Sequence, residues 1–207
     1  MRDLFSEDHQ MLAIPIEDGE LFYQADFLDE ITAQALMADL LASVPWRSDD
    51  IVVWGKTYRQ PRLTAWYGNV GMDYTYSGIH MTPLPWTQSL LALKAKVEQA
   101  TRAQFNSVLI NYYRDQHDSM GLHSDDELAL GVRPVIASVS LGQTRSMVFK
   151  HRHHTRIPSR KVCLTSGSLL VMKGDLQAHW QHGIYKEKNP LGPRINLTFR
   201  QIQSFIQ

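Results

Sequence analysis

At 207 residues, 43% hydrophobic and 20% charged, the chain suits one soluble domain with a full core and excludes two independent ones. No apolar run approaches the ~20 residues of a membrane helix, so no membrane partner is expected, and a single cysteine excludes an internal disulfide. The net charge of zero hides an asymmetry: residues 1–30 hold nine acidic residues and one basic, which leaves 20 basic against 12 acidic on residues 31–207.

That basic body points to an anionic partner such as nucleic acid, with the acidic start as a solvated cap or counterweight. Met1-Arg2-Asp3 opens without the basic-then-apolar pattern of a secretion signal. A cytoplasmic monomer is expected, nucleoid-associated if the source is bacterial. Asp26-Phe27-Leu28-Asp29-Glu30 opens a helical pattern in which Ile31, Ala35, Leu36, Leu40, Leu41 and Val44 recur until Pro45. Short β-like pieces follow at Ile51 to Trp54, Leu63 to Tyr67 and Tyr74 to Ser77, separated by Gly55, Gly68, Gly71 and Gly78. A second helical stripe, Trp86, Leu90, Leu93, Val97 and Ala100, comes after Thr82-Pro83-Leu84-Pro85. Both stripes are expected to face the core.

From Asn106 the character is almost wholly β. Pro134 to Leu141, Ser146 to Lys150, Val162 to Leu164, Ser168 to Met172 and Ile195 to Phe199 read as serial short strands, which indicates a sandwich or open barrel. Cys163, inside Val162-Cys163-Leu164, is expected to be a buried thiol. The acid-free run Lys150-His151-Arg152-His153-His154-Thr155-Arg156, continuing to Arg160-Lys161, reads as a basic hairpin loop; its clustered histidines are alternatively metal ligands.

Three stretches carry chemistry. In Val108 to Tyr113, period two puts Asn111 and Tyr113 on one face. His123 and Asp125 stand two apart, so an extended segment points imidazole and carboxylate the same way. By itself a His-x-Asp tripeptide is weak, since composition predicts roughly 0.6 by chance. Downstream, His179-Trp180-Gln181-His182 offers a distal histidine, and two His with one carboxylate suit a non-haem iron(II) site with open positions. The last strand alternates Arg194, Asn196, Thr198 and Arg200 with Ile195, Leu197 and Phe199. Two arginines roughly 20 Å apart along a strand suit the two ends of a dicarboxylate, because guanidinium grips carboxylates bidentately.

These ordered pieces resemble a known family, the AlkB-type Fe(II)/2-oxoglutarate dioxygenases that repair alkylated bases. The likeness runs from about Gln60 to Arg200. It rests on QPRLTAWYG from Gln60, YTYSG from Tyr74, FNSVLINYYRD from Phe105, HSDDE from His123, PVIASVSLG from Pro134, GSLLVM from Gly167, WQH from Trp180 and PRINLTFR from Pro193. The resemblance implies an α+β fold: a double-stranded β-helix (jelly-roll) core with flanking helices and an N-terminal nucleotide-recognition lid. One dioxygenase domain would span 1–207, with scaffold helices and lid in 1–104 and the catalytic core in 105–207.

The family pattern would make His123, Asp125 and His182 the iron ligands, with His179 beside them in a supporting or structural role. Asn111, Tyr113, Arg194, Asn196, Thr198 and Arg200 would hold 2-oxoglutarate, Arg194 with Tyr113 at the distal carboxylate and Arg200 with Asn111 near iron, or the reverse. Trp54, Tyr74, Tyr76, Ser77, Asp126 and Glu127 would meet the nucleobase or its neighbours, and Lys56 and Arg62 the nucleic-acid backbone; the alternative for Trp54 is a tryptophan packed in the core. The implied reaction uses Fe(II), 2-oxoglutarate and O2 to oxidise an N-methyl group on alkylated DNA or RNA, releasing formaldehyde, succinate and carbon dioxide. Two rivals remain: a 2-oxoglutarate oxygenase acting on protein or a small molecule, and a non-catalytic nucleic-acid-binding relative. Activity on a free methylated nucleoside equal to that on an oligonucleotide would favour the first. The intact ligand set and both arginines argue against the second.

Overall fold

Strands that alternate apolar and polar residues need a surface on each side to bury them. A computed structural model of the chain, which describes residues 11–53, 56–76 and 79–203, and of these 51–53, 56, 74–76, 79 and 80 by the main chain alone, supplies those surfaces as two antiparallel sheets and a pair of helices. In chain order the first strands are β1 Leu12–Ile14, β2 Glu20–Gln24, β3 Asp50–Val53, β4 Lys56–Arg59, β5 Leu63–Gly68, β6 Tyr74–Tyr76 and β7 Ile79–Met81. Then come β8 Ser107–Tyr113, β9 Met120–His123, β10 Ile136–Gly142, β11 Arg145–His151, β12 Arg160–Leu164, β13 Leu169–Lys173, β14 Trp180–Ile184 and β15 Arg194–Arg200. The helices are α1 Glu30–Ser43, α2 Gln88–Thr101 and the short α3 Leu176–His179.

The larger sheet has seven strands in the order β1-β2-β13-β10-β15-β8-β5, and the smaller has four in the order β12-β11-β14-β9. This is the sandwich expected from the serial strands and the jelly-roll core that the resemblance implies. Strands β1, β2 and β5, from the half expected to hold scaffold and lid, belong to the same large sheet as β15. The acidic start is therefore not all a solvated cap: Leu21 of β2 is buried in the core, and β2 pairs with β13.

Strand β15 explains the arrangement. Ile195, Leu197 and Phe199 pack in one cluster with Leu90, Leu93 and Val97 of α2 and Ala33 and Leu40 of α1. Its other residues face the space between the sheets, so all seven positions are buried. Leu197→Ala would remove about 2–5 kcal/mol of stability there. Each helix is started by a side chain. Asp29 accepts from the Thr32 main-chain N–H at 2.8 Å, and Thr87 accepts from Leu90 N–H at 3.2 Å. Before β13, Gly167 sits at φ 78°, where an added Cβ would strike the Leu28 carbonyl.

Two expectations about burial fail. Ile31 is 81% exposed and Leu41 36%, and Ala35 is exposed with them, because α1 rests on a line through Ala33, Leu36, Met37 and Leu40, and Ile31 lies roughly 200° around the helix from Ala33; Ala100, placed on the buried stripe of α2, is exposed as well. Cys163 is exposed. In β12 the inward positions are Val162 and Leu164, and strand alternation turns the residue between them outward. Two hairpins, β3–β4 and β6–β7, form separate two-stranded sheets. No helix among the described residues is long and apolar enough to cross a membrane.

Candidate active site

Three pieces of chain, distant in sequence, meet between the sheets. Strand β9 ends at His123, and its register sets that residue opposite His182 of β14. Two residues on, Asp125 is wholly buried. One ligand atom from each of the three lies within 4.8 Å of the others, and the imidazole centroids are 4.4 Å apart.

Bonds on the outer atoms orient this cluster. His123 Nδ1–H donates to the Gly121 carbonyl at 3.0 Å, which makes Nε2 the lone-pair nitrogen, 3.9 Å from Asp125 Oδ1. The Asp125 main-chain N–H donates to Gln177 Oε1 at 2.9 Å. Arg200 Nη2 donates to Asp125 Oδ1 at 2.7 Å. The second oxygen, Oδ2, and Nδ1 of His182 are buried with no hydrogen-bond partner. A buried polar atom left so costs about 1–3 kcal/mol, and a divalent metal is the kind of group that relieves it.

The charges agree with that fit. Burial pushes His182 down to about 3, with His123 and Arg200 adding to it against Asp125. Burial also lowers His123, against the pull of Asp125. For Asp125 burial alone would raise the carboxyl, but Arg200, then His182 and His123, outweigh it and hold the group at about 2. Two neutral imidazoles and one carboxylate are the protonation states a metal needs.

From the triad a cavity extends between the sheets, walled by Asn111, Tyr113, Ser138, Asn196 and Thr198 on one side and Met120, Met147 and Ile184 on the other. Asn196 Oδ1 accepts from Ser138 Oγ at 2.9 Å and from Arg194 Nη2 at 2.8 Å, and its Nδ2 donates to Thr198 Oγ1 at 2.7 Å. Arg194 is fully buried, with its Cζ 5.2 Å from the Tyr113 ring centroid. Its Nη2 also donates to Ser140 Oγ at 2.8 Å, while Nε and Nη1 have no hydrogen-bond partner. Burial lowers its pKa to about 10, opposed by Tyr113 and reinforced by Arg145. Donors buried in that condition ask for an anion. The two strand-end guanidiniums therefore differ: one lies on Asp125, the other beside Tyr113.

The expected residues sort as follows. His123, Asp125, His182, Asn111, Tyr113, Asn196, Thr198 and Arg200 come together around this space, and Arg194 lies behind its wall, against Asn196 and Tyr113. His179 does not: it lies on α3, with a ligand atom within 4.8 Å of Asp18 and His151 in a separate group. Arg62, expected beside the nucleic-acid backbone, is instead buried at 4% exposure. Its Nε donates to Asn111 Oδ1 at 2.8 Å, because the start of β5 pairs with the end of β8 and carries the side chain inward. Asp126 is half exposed and paired with Arg152 at 2.7 Å, and Glu127 leads into the 3-10 turn Leu128–Leu130. Trp54 and Ser77 lie outside the described residues; Lys56, Tyr74 and Tyr76 are described only as main chain, in β4 and β6.

Sequence reasoning missed Arg145, Gln177 and the inward serines Ser138 and Ser140. The signal for Arg145 was present, since period two from Met147 and Phe149 turns it inward too.

The chain matches the family model described as the 2OG-Fe(II) oxygenase superfamily over residues 20–200. It is 44% identical over 184 residues to the alpha-ketoglutarate-dependent dioxygenase alkB homolog 3 of Mus musculus, covering 85% of this chain and 64% of that protein. It is 42% identical over 158 residues to the DNA oxidative demethylase ALKBH2 of Homo sapiens, covering 73% and 60%. The chain thus spans less than two thirds of these relatives' length. Among solved structures, that titled "The structure of OsALKBH1" superposes with a TM-score of 0.66 at 15% identity, over 92% of this chain and 100% of that one, a likeness of fold.

Proposed function

Because the chain belongs to the 2OG-Fe(II) oxygenase superfamily, we propose that it oxidatively demethylates N-alkylated nucleobases of the 1-methyladenine and 3-methylcytosine type. DNA is the substrate class of first choice and RNA the second. The family's metal and cosubstrates are Fe(II), 2-oxoglutarate and O2. The observation that carries the proposal is the His-Asp-His cluster at a buried cavity whose Tyr113 and Asn196 wall is backed by the Arg194 guanidinium, two of whose donors have no hydrogen-bond partner. Relatives named for DNA oxidative demethylation support the substrate class.

In this reading His123, Asp125 and His182 would hold the iron, a two-histidine, one-carboxylate set that suits iron(II). Iron bound there with 2-oxoglutarate and O2 supplies a two-electron oxidation that puts a hydroxyl on the N-methyl group, while 2-oxoglutarate becomes succinate and carbon dioxide. The resulting hemiaminal collapses to formaldehyde and the unmodified base. Arg200 donates to Asp125 Oδ1 and would hold the carboxylate in place beside the metal. Arg200 and Asn111 then serve the near carboxylate of 2-oxoglutarate, Arg194 and Tyr113 the distal one, and Asn196 and Thr198 the wall between. Arg62 keeps the Asn111 amide oriented.

The hairpins β3–β4 and β6–β7, with Trp54, Lys56, Tyr74, Tyr76 and Ser77, act as the nucleotide-recognition lid, and Asp126 with Glu127 lies toward the base. A ring methylated at N1 of adenine or N3 of cytosine is cationic, so a carboxylate such as Asp126 favours it over the neutral base. Its present partner, Arg152, forms a surface pair of about 0–1 kcal/mol, which a cationic ring can displace.

Formaldehyde release from 1-methyladenine and 3-methylcytosine oligonucleotides, with iron, ascorbate and 2-oxoglutarate, tests the proposal. Release only from a methylated free nucleoside or a peptide would overturn it. With Trp54→Ala, a larger loss on duplex than on single strand is expected, since an evicted base must be replaced by stacking worth roughly 1–3 kcal/mol.

A further inference from the structure

Arg145, at the start of β11, is a buried cation that the reaction as described does not use. It is 2% exposed. Its donors end on main-chain carbonyls: Nη1 on Asp115 at 3.2 Å, and Nη2 on Asp118 at 3.0 Å and Tyr185 at 2.6 Å. Its Nε is buried with no hydrogen-bond partner. The Asp118 carboxylate feels the charge of Arg145, but both of its oxygens are taken by Arg114, at 2.7 and 2.8 Å. Arg145 Cζ lies 5.7 Å from the centroid of the Tyr113 ring, and Arg194 Cζ lies 5.2 Å from the same centroid.

Two buried guanidiniums thus share one aromatic ring. Their repulsion is felt, since Arg145 helps to lower the pKa of Arg194. If Arg145 served only to tie the loop after β8 to Tyr185, a neutral donor would do so without the cost of burying a charge. The charge itself needs a reason, and an anion bound at Arg194 supplies one.

We propose that Arg145 is a positioning residue of the cosubstrate pocket: it fixes the Tyr113 ring and adds the second positive charge that makes the pocket select a dicarboxylate. The inference rests on the assignment of the distal carboxylate to Arg194 and Tyr113. A ligand with a charged tail cancels the repulsion between the two arginines, whereas a ligand ending short of them leaves it in place. Selection by tail charge follows.

The test uses two probes, N-oxalylglycine, a dicarboxylate of the length of 2-oxoglutarate, and oxalate, which reaches only the metal end. Each is titrated calorimetrically into manganese-loaded protein. Removing a unit charge near a buried carboxylate weakens its binding on the order of tenfold. Arg145→Met should therefore weaken N-oxalylglycine by about that factor and leave oxalate within about twofold, with Arg145→Lys restoring most of the loss. If the Met variant does not fold, Arg145→Gln, which keeps a donor for the carbonyls and drops the charge, is read the same way. Equal weakening of both probes, or no weakening of either, overturns the inference. A parent protein that binds oxalate and not N-oxalylglycine would instead overturn the distal-carboxylate assignment beneath it.

Discussion

Among the described residues two groups each bring two histidines and an aspartate within 4.8 Å: His123, Asp125 and His182 between the sheets, and Asp18, His151 and His179 near the surface. Spacing does not separate them. What separates them is the partner on the far nitrogen. His123 Nδ1 faces the Gly121 carbonyl, which can only accept, so the proton sits on Nδ1 and Nε2 keeps its lone pair. His151 Nδ1 accepts from the main-chain N–H groups of His153 and His154, at 3.2 and 3.0 Å, so its proton sits on Nε2 and is donated to Asp18 Oδ2 at 3.2 Å. The first group keeps the lone pair a metal would take; in the second, His151 and Asp18 are already joined by a hydrogen bond. It ties the turn after β1 to the basic hairpin, a tie that Trp180 Nε1 reinforces by donating to the Glu17 carbonyl at 2.7 Å.

The largest effects should fall on the first group. His123→Ala, Asp125→Ala and His182→Ala should each abolish turnover and iron loading, whereas His179→Ala should keep most of both. Iron content after anaerobic reconstitution measures this. Full loading in His182→Ala with loss in His179→Ala would invert the contrast.

A related distinction divides Arg200, which donates to the Asp125 carboxylate, from Arg194, whose donors reach Ser140 and Asn196 but, among the described residues, no carboxylate. Arg200→Met strands the buried Asp125 charge and should cost about 3–5 kcal/mol of stability. Arg194→Met removes a buried cation that faces no carboxylate, so the ligand-free protein should melt about 2–8 °C higher while stabilisation by 2-oxoglutarate disappears. Thermal melts with and without cosubstrate read both; a lower melting temperature for ligand-free Arg194→Met would mean that its bonds to Ser140 and Asn196 outweigh the buried charge.

Smaller is the effect on the second group. Asp18→Asn should lower stability by about 0.5–1.5 kcal/mol and leave iron stoichiometry unchanged, and any drop in metal content would return that group to candidacy as a site. The smallest effect concerns pH. Burial alone would raise the Asp118 carboxyl, but its bonds to Arg114 bring it below the usual range. The unfolded chain therefore takes up the proton first as pH falls, so the contribution of this group is present above the ordinary carboxylate range and lost on descending through it and below. Asp118→Asn should flatten the fall in melting temperature between about pH 5 and 3, and parallel curves for variant and parent would assign the acid sensitivity elsewhere.

Much of this was legible in the residues. Period two in Val108 to Tyr113 and Arg194 to Arg200 sorts polar from apolar faces before any fold is known, because alternation is a property of the extended backbone itself. The order of His-x-Asp, distal His and Arg-x-Asn-x-Thr-x-Arg, with the resemblance it carries, named residues that meet between the sheets. Local pattern could not say which side of α1 would be covered, so Ile31 and Leu41 were placed in the core and are exposed. Nor could it tell that Arg62 would turn onto Asn111, 49 positions away, or that Arg145 and Arg194 would share the Tyr113 ring. Two histidine groups of equal composition were likewise separable only by which main-chain atoms met their far nitrogens. Those outcomes depend on sheet pairing between distant strands, and it is there that burial, proton position and the need for a ligand are decided.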